Sequence, residues 1–293
     1  MTASNSRFSA VRDHAAARPP PTAGADRVVY GLTQPLLGVR MLATHRDLVE
    51  AALVPAALLA AFCAVVALAG HRGGFLHRFY TAFAVLAPLP SILFANHYAR
   101  LAVRARHLLG FSRAEPCIES LRRNLGRAVK QAVLVALAVA PISGLLHLVP
   151  GIGWLLVQAA AGLWALHWVV VEAFDSARIL RPGQTLADLD AAAERIRPPW
   201  YVRWLVHAAE RAPIGGRLIG RFARLCDRLS LPWREEIALV EDHPALMIGF
   251  SLSTAVMLAV PVLNLAFRPI VIIAATHVLG QLEAAEPTEP ARS

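Results

Sequence analysis

The chain has 293 residues, 56% of them apolar and 17% charged, with 29 Lys and Arg against 20 Asp and Glu. Several uncharged runs reach seventeen residues or more, too many for the interior of a soluble domain of this size. Composition therefore excludes an ordinary water-soluble globule and reads as an integral membrane protein. Lys130 is the only lysine, so 28 of the 29 cations are Arg. They flank the apolar runs, which fits loops facing anionic lipid and argues against nucleic acid as a partner. Scarce Lys with abundant Ala suggests a GC-rich bacterial genome.

In chain order, residues 1–30 are expected to be a disordered cytoplasmic tail: Pro19, Pro20 and Pro21 interrupt a stretch without apolar periodicity. The first apolar run starts too late to be a secretory signal. Residues 31–50, with Arg40 and Arg46 among leucines, read as an approach helix on the membrane surface. Residues 51–70 carry no charge and predict the first span, about 30 Å at 1.5 Å per residue. Residues 79–96 predict a second span kinked by Pro88 and Pro90. Eight basic residues between His97 and Lys130 set the orientation, placing that segment and the N-terminus in the cytoplasm.

Residues 131–174 predict a helical hairpin turned at "PGIG", with Pro150 and Gly151 as its punctuation. Its arms are long enough to cross, and a re-entrant fold is equally compatible with them. Residues 178–244 form a cytoplasmic helical region with eleven Arg and nine acids. Within it Arg217, Arg221, Arg224 and Arg228 are spaced 4, 3, 4, and so are Leu218, Phe222, Leu225 and Leu229. Two such stripes side by side predict a helix lying at the lipid surface, with an arginine face packing on other cytoplasmic helices as the rival reading.

The last apolar block, residues 246–280, contains Pro261, Asn264, Arg268 and Pro269. Only twelve residues run from Pro269 to Gly280, about 18 Å of helix, so the block predicts a second, re-entrant hairpin with a polar joint. Pro269 fits the first position of an outgoing half-helix, and Arg268 beside that helix start suits an anion. The plainer roles are carbonyl capping for Asn264 and snorkelling to lipid phosphate for Arg268. Residues 282–293 close the chain as a polar tail.

Catalytic chemistry is thin. Cys63, Cys117 and Cys226 are isolated, and His147, His167 and His277 lack metal-ligand spacing and carboxylate company, so no metal and no cofactor is expected. Glu172, Asp175 and Arg178 read as a local ion pair. No nucleophile elbow, Walker loop or dinucleotide fingerprint is present, which argues against an enzyme.

The C-terminal block resembles the signature of the CysZ sulfate permease family and its relatives, the etoposide-induced membrane proteins. The residues that carry the likeness are Gly249, Phe250, Pro261, Leu263, Asn264, Leu265, Pro269, Ala275 and Thr276. "GVRML" (Gly38 to Leu42) is similar to the family's Gly-x-Arg element, and "LHLVPGIGWLL" to its first hairpin turn. The resemblance implies an all-α inner-membrane protein with two transmembrane helices, two helical hairpins, both termini cytoplasmic, and a homo-oligomeric state. It implies uptake of sulfate or a similar small oxyanion, with Gly38, Val39 and Arg40 offering backbone N–H groups and a guanidinium at a helix start, and Arg268 assisting. The alternative is a non-transporting membrane organiser that binds anionic lipid or protein partners through the Arg-rich surface.

Overall fold

In the computed structural model, which describes residues 20–70, 74–86, 93–111, 114–259 and 261–285, about 83% of the described residues are helical. The described helices are α1 (Gly24–Thr44), α2 (Arg46–Ala69), α3 (Phe75–Leu86), α4 (Ala95–Leu108), α5 (Leu121–His147), α6 (Gly153–Ser176), α7 (Leu186–Arg195), α8 (Trp200–Arg211), α9 (Gly216–Ser230), α10 (Arg234–Asp242), α11 (Pro244–Ala259) and α12 (Pro261–Ala285). A 3-10 turn, Leu231–Trp233, joins α9 to α10. Sheet is confined, among the described residues, to the antiparallel pair β1 (Glu115–Pro116) and β2 (Ile179–Leu180).

Among the described residues, two helices, α2 and α6, are long and apolar enough to cross a membrane. The first matches the span expected at 51–70 but starts earlier, at Arg46, after an extended His45 separates it from α1. Of the second expected span, residues 87–92 with Pro88 and Pro90 lie outside the described residues. The described chain on either side belongs to α3 and α4. The predicted tail at 1–30 falls mostly outside the described residues as well; from Gly24 onward it is helix, not disordered chain.

Residues 131–174 fall in α5 and α6, and Pro150 and Gly151 lie in the turn between them. Gly151 has φ +80°, a left-handed conformation that an L side chain resists. The second hairpin differs from expectation. Residue 260 lies outside the described residues, and Asn264, Arg268 and Pro269, expected at the polar joint, lie within α12. Pro269 removes one i→i−4 hydrogen bond, a loss that does not end α12, which is packed against α1, α2 and α4. The side chains of Pro261 and Asn264 lie outside the described ones.

Contacts divide the chain into two compact units, where the sequence reads residues 31–281 as a single helical membrane domain. The first comprises the described residues of Met1–Leu121, Ser176–Pro182 and Ala245–Ser293. Its centre is α12, in which every residue from 270 to 278 is buried. Glycines let the neighbouring helices come close. A Cβ at Gly31 would overlap the Leu246 carbonyl, one at Gly249 the Val28 carbonyl, and one at Gly38 the Ile270 carbonyl. Asn96 adds a polar clasp, its amide donating to the Glu119 carbonyl at 2.8 Å while its oxygen accepts from the Glu119 N–H at 3.0 Å.

The second unit comprises Arg122–Asp175 and Gly183–Pro244. Leu134 on α5, Trp168 and Val171 on α6, Tyr201 and Val202 on α8, Cys226 on α9, Trp233 and Ile237 meet in its core. Each large apolar side chain buried there contributes about 1.5–3 kcal/mol. The Trp168 and Trp233 rings pack edge to face at 5.5 Å, and the Arg127 guanidinium covers Trp233 at 5.3 Å.

Candidate functional site

Polar side chains gather in two places, one in each unit. In the first unit they follow α12. His277 and Gln281 are one turn apart on α12 and face Gln34 of α1; all three are buried. Gln34 donates through Nε2 to the Tyr30 carbonyl at 3.1 Å, which leaves its Oε1 to accept from His277 Nδ1 at 2.6 Å. The other ring nitrogen, Nε2, lies 3.4 Å from the Gln281 amide nitrogen and accepts from it. Both nitrogens of a neutral imidazole are thereby matched, the arrangement of an interhelical tie. Arg106 on α4, 3% exposed, pairs with Glu283 on α12 and lies 5.6 Å from the Phe111 ring centroid.

Arg268 is half-buried on the same helix. Burial pushes the Tyr98 phenol of α4 up from its ordinary range, and the Arg268 charge opposes that shift. The anion cradle expected at Gly38, Val39 and Arg40 is not built. These residues lie inside α1, not at a helix start, so their N–H groups serve the helix. Gly38 is buried against α12, and Arg40 is exposed.

In the second unit the arginine stripe lies where its spacing puts it. Arg217, Arg221, Arg224 and Arg228 are all exposed on α9. At about 100° per residue they occupy one side of an arc of about 120°, and Leu218 and Leu225 occupy the other. These two leucines are 72% and 45% exposed. Phe222 and Leu229, expected to continue the lipid-facing stripe, turn inward and pack on the core with Cys226. The apolar stripe is therefore divided between core and surface. A groove of ≈ 820 Å³ between α8 and α9 is lined by Glu210, Arg217, Arg221 and Arg224 among small residues.

Glu172 and Asp175 bond across the α5–α6 hairpin. Gln131 donates to Glu172 at 2.6 Å, and Arg127 pairs with Asp175 at 2.5 Å. His167 stacks on Trp164 at 5.5 Å. The two residues share an apolar cavity of ≈ 300 Å³ with Ser143, Leu163 and Trp200. The side chain of His147 lies outside those described. Burial pushes the Tyr201 phenol and the Cys226 thiol up from their ordinary ranges, and neither is poised as a nucleophile. Among the described residues, no cluster of His, Cys, Asp or Glu is arranged to hold a metal ion.

Sequence reasoning missed Gln34, Gln281, Arg106 and Glu283. Their chemistry emerges only when α1, α4 and α12 meet, and no local spacing signals it. Comparison with known proteins gave no match to any family model, curated protein or solved structure.

Proposed function

We propose that this chain is a membrane permease for sulfate or a similar small oxyanion, as the resemblance to the CysZ family implies, with Arg268 as the charge the anion meets. The observation that supports this reading is a half-buried arginine on the helix around which α1, α2 and α4 pack. Ionisable groups held inside a membrane bundle mark substrate routes more often than lipid-facing surface. A guanidinium also binds an oxyanion through two parallel N–H bonds. On this reading the protein is a homo-oligomer of a bacterial inner membrane, with its arginine-rich segments and both termini in the cytoplasm.

Purified protein in liposomes is expected to pass labelled sulfate above protein-free vesicles. Arg268→Gln should abolish the flux, whereas Arg40→Ala, at an exposed position, should leave most of it. Folded protein that passes no sulfate removes the reading. The second reading is a non-transporting organiser that binds anionic lipid or protein partners, and the observation favouring it is the exposed arginine face of α9.

A further inference from the structure

We propose that the α8–α9 hairpin lies on an anionic bilayer surface, with the α9 arginines against lipid phosphates and Ile214, Leu218 and Leu225 reaching into the headgroup boundary. The inference deepens the second reading by naming its ligand, and it holds whether or not the chain also transports.

The outer arc of α9 consists of Arg217, Leu218, Arg221, Arg224, Leu225 and Arg228, with no acid among them. The two acids of the hairpin do not interrupt this arc. Asp227 points away from it and is paired with Arg234 at 2.5 Å. Glu210 lies on the α8 side of the groove, opposite three arginines. Arg211 adds a further exposed cation just before the turn.

At the tip of the turn Ile214 is 90% exposed, held out by Gly215 in the left-handed region at φ +82°. Water-exposed Ile and Leu beside a row of guanidinium groups fit one environment better than others. A bilayer interface accepts the apolar side chains below its phosphates and the arginines among them. A nucleic acid or a purely acidic protein surface would take the charges and leave the apolar groups in water. The unit that carries the hairpin also contains α6, long and apolar enough to cross a membrane, so the hairpin is tethered to the bilayer it would touch.

The test uses the full chain, reconstituted with a fluorophore on Leu218→Cys and, separately, on Ile214→Cys. Cys117→Ser leaves only the buried thiols Cys63 and Cys226. Quenching is read from lipid-borne nitroxides and from iodide supplied on both faces. In phosphatidylglycerol-rich vesicles both probes should be quenched from the lipid and shielded from iodide, and in phosphatidylcholine vesicles the reverse. High salt should release the hairpin, because screening shortens the reach of the arginines. Replacing Arg217, Arg221, Arg224 and Arg228 by Gln should lower the docked-to-free ratio by about 10³-fold, at roughly 1 kcal/mol per charge. Iodide access that is the same in both lipids overturns the proposal. So does equal shielding in both, which would mark a protein contact, including an acidic partner or a second copy. Sulfate flux, measured on the same vesicles, reports on transport separately.

Discussion

Around α12, Arg106 is 3% exposed and meets Glu283, and Arg268 is half-buried; on α9 four arginines stand exposed on one face. The same residue type is used in opposite ways. In the first unit the charge is enclosed by helices that approach closely through Gly31, Gly38 and Gly249, and its value depends on a partner. In the second the core of Trp168, Tyr201 and Trp233 is built without the four α9 arginines, whose exposed face is open to something outside the chain. An exposed periodic stripe therefore points outward to a ligand, and an isolated arginine in an apolar helix points inward to its neighbours.

The largest effect that would break this contrast is on the close helix approach. Gly249→Val places side-chain atoms where the Val28 carbonyl and the Leu32 N–H already are. Backbone, unlike the end of a flexible side chain, cannot move aside cheaply, so a loss of about 4 kcal/mol or more is expected. The readout is the yield of monodisperse protein and its unfolding temperature in detergent. Gly126→Ala is the matched control: it lies in α5 with nothing within 4 Å of its would-be Cβ. That change should stabilise by about 0.5–1 kcal/mol through helix propensity alone. Equal effects at the two positions would show that α1 and α11 do not cross so closely.

A smaller effect sharpens the account of the enclosed charges. Glu283→Ala takes from Arg106 the carboxylate it meets, in a setting where the arginine side chain is 4% exposed. Breaking a fully buried pair costs about 3–5 kcal/mol, and because Glu283 is 33% exposed, water softens the loss to about 2 kcal/mol. Arg106→Met combined with Glu283→Leu removes both charges and should fall within about 1 kcal/mol of the parent. Denaturant titration of the three proteins checks the order. If the single and double variants are equally stable, the pair does not govern that interface.

How much of this was legible in the sequence differs between the two units for a physical reason. The face of α9 is written in local spacing, because 4, 3, 4 intervals place side chains on one side of any helix. Its spacing did not reveal that Phe222 and Leu229 would turn inward, since that depends on where Trp168 and Trp233 sit. The hairpin turn at Pro150 and Gly151 was equally local. In α12 the local signals misled: Pro269 beside Arg268 has the composition of a break, and only the surrounding helices keep it continuous. Likewise Gly38 looks like part of an anion loop until Ile270, far along the chain, is seen against it. The Arg106–Glu283 pair spans 177 positions, a separation at which a single sequence carries no pairing information.

The smallest effect tests whether the second unit's helices are set locally as well as by the core. Thr185 caps α7: its Oγ1 accepts from the Asp188 N–H at 3.3 Å, and the Asp188 carboxylate accepts from the Thr185 N–H at 2.8 Å. This is a reciprocal capping box, and Thr185→Ala should cost about 1 kcal/mol, with Thr185→Ser close to neutral. Because α7 packs on the 3-10 turn that holds Trp233, tryptophan fluorescence during denaturation reports the loss. Hydrogen bonds from the Thr185 side chain and backbone hold the Asp188 carboxyl below the usual carboxylate range. A folded pKa below the unfolded one gives stability that is present above the unfolded value and fades as pH falls through the folded value. The parent should therefore lose a little stability on acidification that Thr185→Ala has already lost. Identical acid profiles for the two would mean that the core, and not the cap, fixes the start of α7.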